Sequence, residues 1–278
     1  MPEWDQARVA AASRRLRLTV DPRRKRSGAG QHLGNQAGSG LEFHDYRDYH
    51  QGDDPRRVDW RAYARTGQLL LRRHRQEVQP RLDMILDASA SMAFTNDKFS
   101  LAAALTDLLT SVALREGSRT TVFIGNQRLD ASVWREQLLA ASAEQNDPIM
   151  AVSGQLHPGS ERILISDGLQ PTGATAVLRP LGQAAGSISL VQVLSREEIK
   201  PVASGATRLQ DLEQRAQLDL ICDQQACAAY RARLARHQQA WSKALRGRGA
   251  GLFTCVAEEG LQAAIRVCLR GLLAMGVG

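Results

Sequence analysis

From Leu82 onward the chain alternates short apolar runs with stretches of helical periodicity, and this alternation constrains the fold more than any other feature. Leu82–Leu86 is a short run of the kind expected for a strand buried on both faces. Residues 97–115 place Leu101, Leu105, Leu108, Leu109 and Val112 on one helical face. Strand-like runs follow at 119–125, 161–168, 187–195 and 252–259, with helical patterns near 133–143, 147–156, 173–185, 224–247 and 260–275, and a hairpin-like excursion at 206–221. Strands alternating with helices over this length predict an α/β fold: a doubly wound, mostly parallel, Rossmann-like sheet covered by helices on both faces. Residues 80–278 are assigned to this domain.

Residues 1–79 read differently. Residues 1–81 hold 17 Lys and Arg against 10 Asp and Glu, so this part carries the whole formal charge of +7. It is expected to form a small basic module packed against the α/β domain, with a helix-prone arm at 1–26, a Gly-rich loop at 27–40 and a strand at 41–49. Asp54-Pro55 predicts a helix start, with Asp54 as N-cap and the helix running to about Arg65. A further strand-like stretch leads into Leu82. The four cysteines form no C-x-x-C pair, so they are expected as reduced, mostly buried thiols. No apolar stretch approaches the roughly 20 residues of a membrane span, and a cytoplasmic protein is expected.

Two apolar runs end in a carboxylate. "LDMILDASAS" ends one strand with Asp87, Ser89 and Ser91, and "ERILISDG" ends another with Asp167. In open α/β sheets ligands bind at the carboxyl ends of strands. Two carboxylates brought together there repel unless a positive charge lies between them. Asp and Ser oxygens without His or Cys suit a hard divalent cation, Mg²⁺ first and Mn²⁺ next. Each motif alone reads equally as ordinary local structure, "DASAS" capping the next helix and "SDG" making a turn.

These residues carry a resemblance. Asp87-Ala-Ser89-Ala-Ser91 is similar to D-x-S-x-S, the first loop of the metal-ion-dependent adhesion site of von Willebrand factor A domains, and Ile165-Ser166-Asp167-Gly168 resembles the later loop that supplies a second Asp. The resemblance implies that Ser89 and Ser91 bind the metal directly, Asp87 and Asp167 partly through water, with one position open to an acidic side chain of a partner. Such sites usually take a Thr from a middle loop. None stands here, and Asn146 holds the matching position, as a carbonyl ligand or as a helix N-cap. Upstream, Glu42-Phe43, Arg47, Tyr49, Gly52-Asp53-Asp54, Arg56, Asp59-Trp60, Ala64 and Arg65 resemble the segment that marks the domain of unknown function 58. That likeness implies a role beside MoxR-type AAA+ ATPases in assembling or maturing a client protein.

The remaining motifs allow other functions. Asp53, Asp54 and Asp59 stand beside Arg56, Arg57 and Arg61, so Arg–carboxylate pairing is expected there, with Trp60 and Tyr63 as packing anchors. Arg56, Arg57, Arg61, Arg72 and Arg73 form a candidate partner-binding face for acidic proteins; an electrostatic nucleic-acid binder is the alternative. No G-x-S-x-G, H-E-x-x-H or P-loop motif is present, and His157 is a loop residue or, at most, a distant base for Ser89. A metal-dependent hydrolase using Asp87 and Asp167 is the third reading. The sequence favours a non-enzymatic, divalent-metal-dependent protein-binding factor.

Overall fold

The computed structural model describes residues 4–19, 41–50, 53–76, 80–130, 133–141, 149–210, 217–246 and 251–276. The chain divides into two units, one of residues 1–27 with 80–278 and one of residues 28–79. The expected N-terminal module of residues 1–79 is therefore not one piece. Helix α1 (Gln6–Ser13) and strand β1 (Leu16–Leu18) belong to the α/β unit, because Val9 and Leu16 are buried in its core and β1 pairs with a strand near the C-terminus.

In the smaller unit, β2 (Leu41–Asp48) pairs antiparallel with β3 (Leu70–Gln76), with an irregularity between Phe43 and Asp45. Helix α2 (Trp60–Thr66) lies between them in sequence. The single helix expected from Asp54 is instead two pieces. Asp54 caps only a 3-10 turn, Pro55–Arg57, and Asp59 starts α2 afresh by accepting from the Arg61 and Ala62 amides. Gly67, at φ 70°, ends the helix in the left-handed conformation that glycine adopts without strain. Val58, Ala62 and Leu71 are buried here.

The larger unit is built on a six-stranded sheet: β4 (Arg81–Leu86), β5 (Arg119–Ile124), β6 (Gln127–Arg128), β7 (Glu161–Ser166), β8 (Ser187–Leu194) and β11 (Leu252–Val256). The spatial order is β11-β8-β7-β4-β5-β6, and only the β5–β6 pairing is antiparallel. Alternate residues of these strands feed two separate cores. Met84, Leu86, Ile163, Ile165, Val191 and Val193 pack on one face with α3 (Asn96–Arg115), α4 (Trp134–Ala140) and α8 (Gly260–Cys268). Ile85, Leu164, Ile188 and Leu190 pack on the other with α5 (Gly173–Leu181) and α7 (Gln224–Arg246). Both faces are covered, which is why the strands read as continuous apolar runs rather than alternations.

The short helix α6 (Arg196–Ile199) follows β8, and the expected hairpin is β9 (Gly205–Gln210) with β10 (Gln217–Cys222). The C-terminal helix expected over 260–275 stops at Cys268. Residues Leu273–Met275 form β12, which pairs antiparallel with β1. The helical stretch expected near 147–156 is a 3-10 segment, Ile149–Gln155. Among the described residues no helix is long and apolar enough to cross a membrane. All four cysteines are free thiols, three of them buried.

Candidate functional site

Strand β4 sits in the middle of the sheet; the chain goes from it to β5 and β6 on one side and then crosses back to β7 on the other. The carboxyl ends of β4 and β7 therefore meet at a point where the strand order reverses, the place where open α/β sheets bind ligands. Asp87 follows β4 and Asp167 follows β7, and the Asp87 amide donates to the Ile165 carbonyl at 2.9 Å. Both carboxylates are 1% exposed.

Asp87 is tightly held. Its Oδ1 accepts from the Ser89 amide at 3.0 Å, and its Oδ2 accepts from Ser166 Oγ at 2.6 Å and Gln170 Nε2 at 2.8 Å. Burial first, and then the negative charge of Asp167, push its carboxyl up to about 6, against the hydrogen bonds from Ser166 and Ser89. Ser89 Oγ and Ser91 Oγ, both half-buried, lie 3.1 Å apart. Asp167 is anchored differently: its Oδ1 accepts from the Leu169 amide at 3.0 Å, and its backbone carbonyl accepts from Gln192 Nε2 at 2.8 Å. Gly168 closes this loop at φ 68°. A Cβ there would lie 3.2 Å from Trp241 Nε1, which itself donates to the Gly168 carbonyl.

A side chain that the sequence reading did not single out enters the cluster. Lys98, in the first turn of α3, is fully buried. Its ammonium donates to the Ser91 carbonyl at 2.8 Å, Asp167 Oδ2 at 3.0 Å and Glu198 Oε1 at 2.7 Å. Glu198 in turn forms a capping box with Ser195 at the start of α6. A signal existed in the sequence: Lys98 precedes Leu101 by three residues and Leu105 by seven, so it lies on the apolar stripe of α3. Gln170 had no such signal.

The donors on the β4 side fit a hard cation. The separation of the Ser89 and Ser91 hydroxyls matches the edge of an octahedron of Mg²⁺ ligands, about 3 Å. Gln170 Oε1, on the same amide that touches Asp87, is buried without a hydrogen-bond partner, an orphaned oxygen beside the cluster. Asp167 fits less freely, since Lys98 already occupies its Oδ2. Among the described residues no three His, Cys, Asp or Glu side chains are grouped so that they could hold a metal ion by themselves, so an ion would depend on these neutral oxygens as well. Asn146 lies outside the described residues.

His157 does not approach Ser89. It donates its backbone amide to Asp83 Oδ2 at 2.9 Å and places Nδ1 2.9 Å from Asp83 Oδ1, and Ser160 Oγ donates to the same carboxylate at 2.6 Å. Asp83 pairs in register with Arg162 near the amino ends of β4 and β7, so this buried network stands away from the candidate site. In the smaller unit, Asp53, Asp54 and Asp59 each accept from backbone amides. Arg56 and Arg61 are exposed, whereas the side chains of Arg57, Arg72 and Arg73 lie outside the described residues. Trp60 and Tyr63, expected as packing anchors, are 59% and 44% exposed and meet edge to face at 6.1 Å.

Fold and site together define an α/β protein with a mostly parallel central sheet and an acid–hydroxyl cluster at its switch point. Residues 45–137, which include Gly52-Asp53-Asp54 and the Asp87–Ser91 loop, match the family described as "Protein of unknown function DUF58". An uncharacterized protein of Mycobacterium bovis is 27% identical over 271 residues, covering 90% of this chain and 85% of that protein. An uncharacterized protein of Mycobacterium tuberculosis matches with the same identity and coverage. Among solved structures, the conserved hypothetical protein BatB from Bacteroides thetaiotaomicron is similar at 16% identity and a TM-score of 0.41, covering 69% of this chain and 96% of that one. An aerotolerance-related membrane protein from Bacteroides fragilis gives 15% identity and a TM-score of 0.34, covering 59% of this chain and 99% of that one.

Proposed function

We propose that this protein is a non-enzymatic binding factor of von Willebrand A-like type, which holds a partner protein through a divalent cation at the Asp87–Ser89–Ser91 loop. The observation that carries this reading is the placement of Asp87, Ser89 and Ser91 together at the switch point of the sheet, with an orphaned oxygen on the Gln170 amide that donates to Asp87. Mg²⁺ or Mn²⁺ at these oxygens would offset the buried charge of Asp87 and offer an open position to a carboxylate of the partner. By its resemblance to the domain of unknown function 58, the protein works in the cytoplasm with a MoxR-type AAA+ ATPase and that enzyme's client. The exposed Arg56 and Arg61 would add charge attraction for an acidic partner.

Calorimetric titration of Mg²⁺ and Mn²⁺ into chelator-treated protein, beside Asp87→Ala, tests the reading. Binding heat in the wild type that vanishes in the variant supports it, as does capture of the purified ATPase that is lost in chelator. Equal heat in both proteins, or equal capture with and without chelator, overturns it.

A further inference from the structure

Lys98 is out of place by every local rule. It lies in the first turn of α3, two residues after Asn96, where the helix dipole disfavours a cation. It is 0% exposed, although lysine is among the residues least often buried completely. Yet its three ammonium protons have three acceptors, at 2.7 to 3.0 Å, and two of these are carboxylates, one in the loop after β7 and one in α6 after β8. Those partners lie 69 and 100 residues away in sequence. The tertiary structure brings them to it.

We infer that Lys98 is the resident cation of the switch-point site: its ammonium holds Asp167 and Glu198, joins the β4, β7 and β8 loops without a metal, and confines a divalent ion to the Asp87–Ser89–Ser91 side. The charges support this division of labour. Asp87, Asp167 and Glu198 bring three carboxylates, and Lys98 with one divalent ion neutralises them. Without the lysine, one divalent ion would leave a buried negative charge uncompensated. Lys98 is thus a positioning residue that sets how much cationic charge the site can accept. Its relation to the divalent ion rests on the reading proposed above; its role as counter-ion does not.

The test uses the full chain and two arms. In the first, Mg²⁺ is titrated calorimetrically into wild type, Lys98→Met and Glu198→Gln. Removing the ammonium frees Asp167 and leaves the site more negative, so Lys98→Met binds Mg²⁺ tighter by about tenfold. Removing the Glu198 charge leaves Lys98 less compensated, so Glu198→Gln binds Mg²⁺ more weakly than wild type. Opposite shifts support the inference. A purely packing role would loosen the same loops in both variants and weaken binding in both, and that result overturns it.

The second arm is thermal melting in chelator, which needs no ion. Lys98→Met melts well below wild type, and adding Asp167→Asn and Glu198→Gln to it recovers part of the loss. Failure of the triple variant to recover overturns the counter-ion role, even if Lys98→Met alone does not fold. No Mg²⁺ binding in any protein, with recovery in the melts, removes the divalent-ion reading and keeps Lys98 as the site's cation.

Discussion

At the scale of single residues, Asp87 stores the electrostatic cost of the site. Its carboxyl is pushed up to about 6 from an ordinary value of 3.8. The folded chain therefore binds this proton more tightly than the unfolded chain does. The stabilisation from that proton is complete below pH 3.8 and is lost as pH rises through about 6. Between pH 5 and pH 7.5 the metal-free wild type should lose on the order of 1 kcal/mol of stability that Asp87→Asn keeps. The difference in melting temperature between the two proteins, followed in chelator across that range, checks this; a difference independent of pH would refute it. Asp87, Ser89, Ser91 and Asp167 were legible because each follows an apolar strand, and strand ends at a switch point face a common space. Gln170 and Glu198 were not legible. One is an unremarkable loop residue, and the other reads fully as a helix cap.

At the scale of elements, the capping residues divide the family segment more finely than its pattern suggests. Asp59 is 5% exposed and satisfies two amides of the first turn of α2, which has only seven residues and no acidic residue in that turn. A helix this short depends on its cap. Asp59→Ala should destabilise it by about 1–2 kcal/mol. Amide hydrogen exchange over residues 60–66 should then quicken by about tenfold, while Asp59→Asn stays close to wild type. Unchanged exchange in the Ala variant would show that packing alone holds α2. The same logic explains why the single helix expected from Asp54 does not form. Two carboxylate caps five residues apart each claim a start, and Val58, extended at ψ 131°, breaks the run between them.

At the scale of the whole molecule, the N-terminal arm decides where the α/β unit ends. Pairing of β1 with β12 puts residues near both ends of the sequence side by side, Leu16 against Met275 and Leu18 against Leu273. Trp4 Nε1 donates to the buried Asp107 on α3 at 3.0 Å, and Arg115 donates to the Leu16 carbonyl. A chain cut at Pro80 should therefore expose the Val9 and Leu16 sites in the core. Burial of each is worth roughly 2 kcal/mol, so the fragment should melt at least several degrees below the full chain. Adding residues 1–27 back by a short linker in place of 28–79 should restore the transition. A fragment of residues 80–278 that melts like the intact protein would refute this.

The sequence by itself determined the class of fold, because burial on both faces makes each parallel strand a continuous apolar run and each covering helix a stripe. It also determined that carboxylates and hydroxyls end two of those strands. Only the tertiary structure decided which charges meet. Lys98, Asp167 and Glu198 are far apart along the chain, and β1 and β12 further still. Periodicity and capping act over a turn or two of backbone. The cation that joins three loops, and the strand that ties one end of the chain to the other, come from long-range closure, which no local pattern encodes.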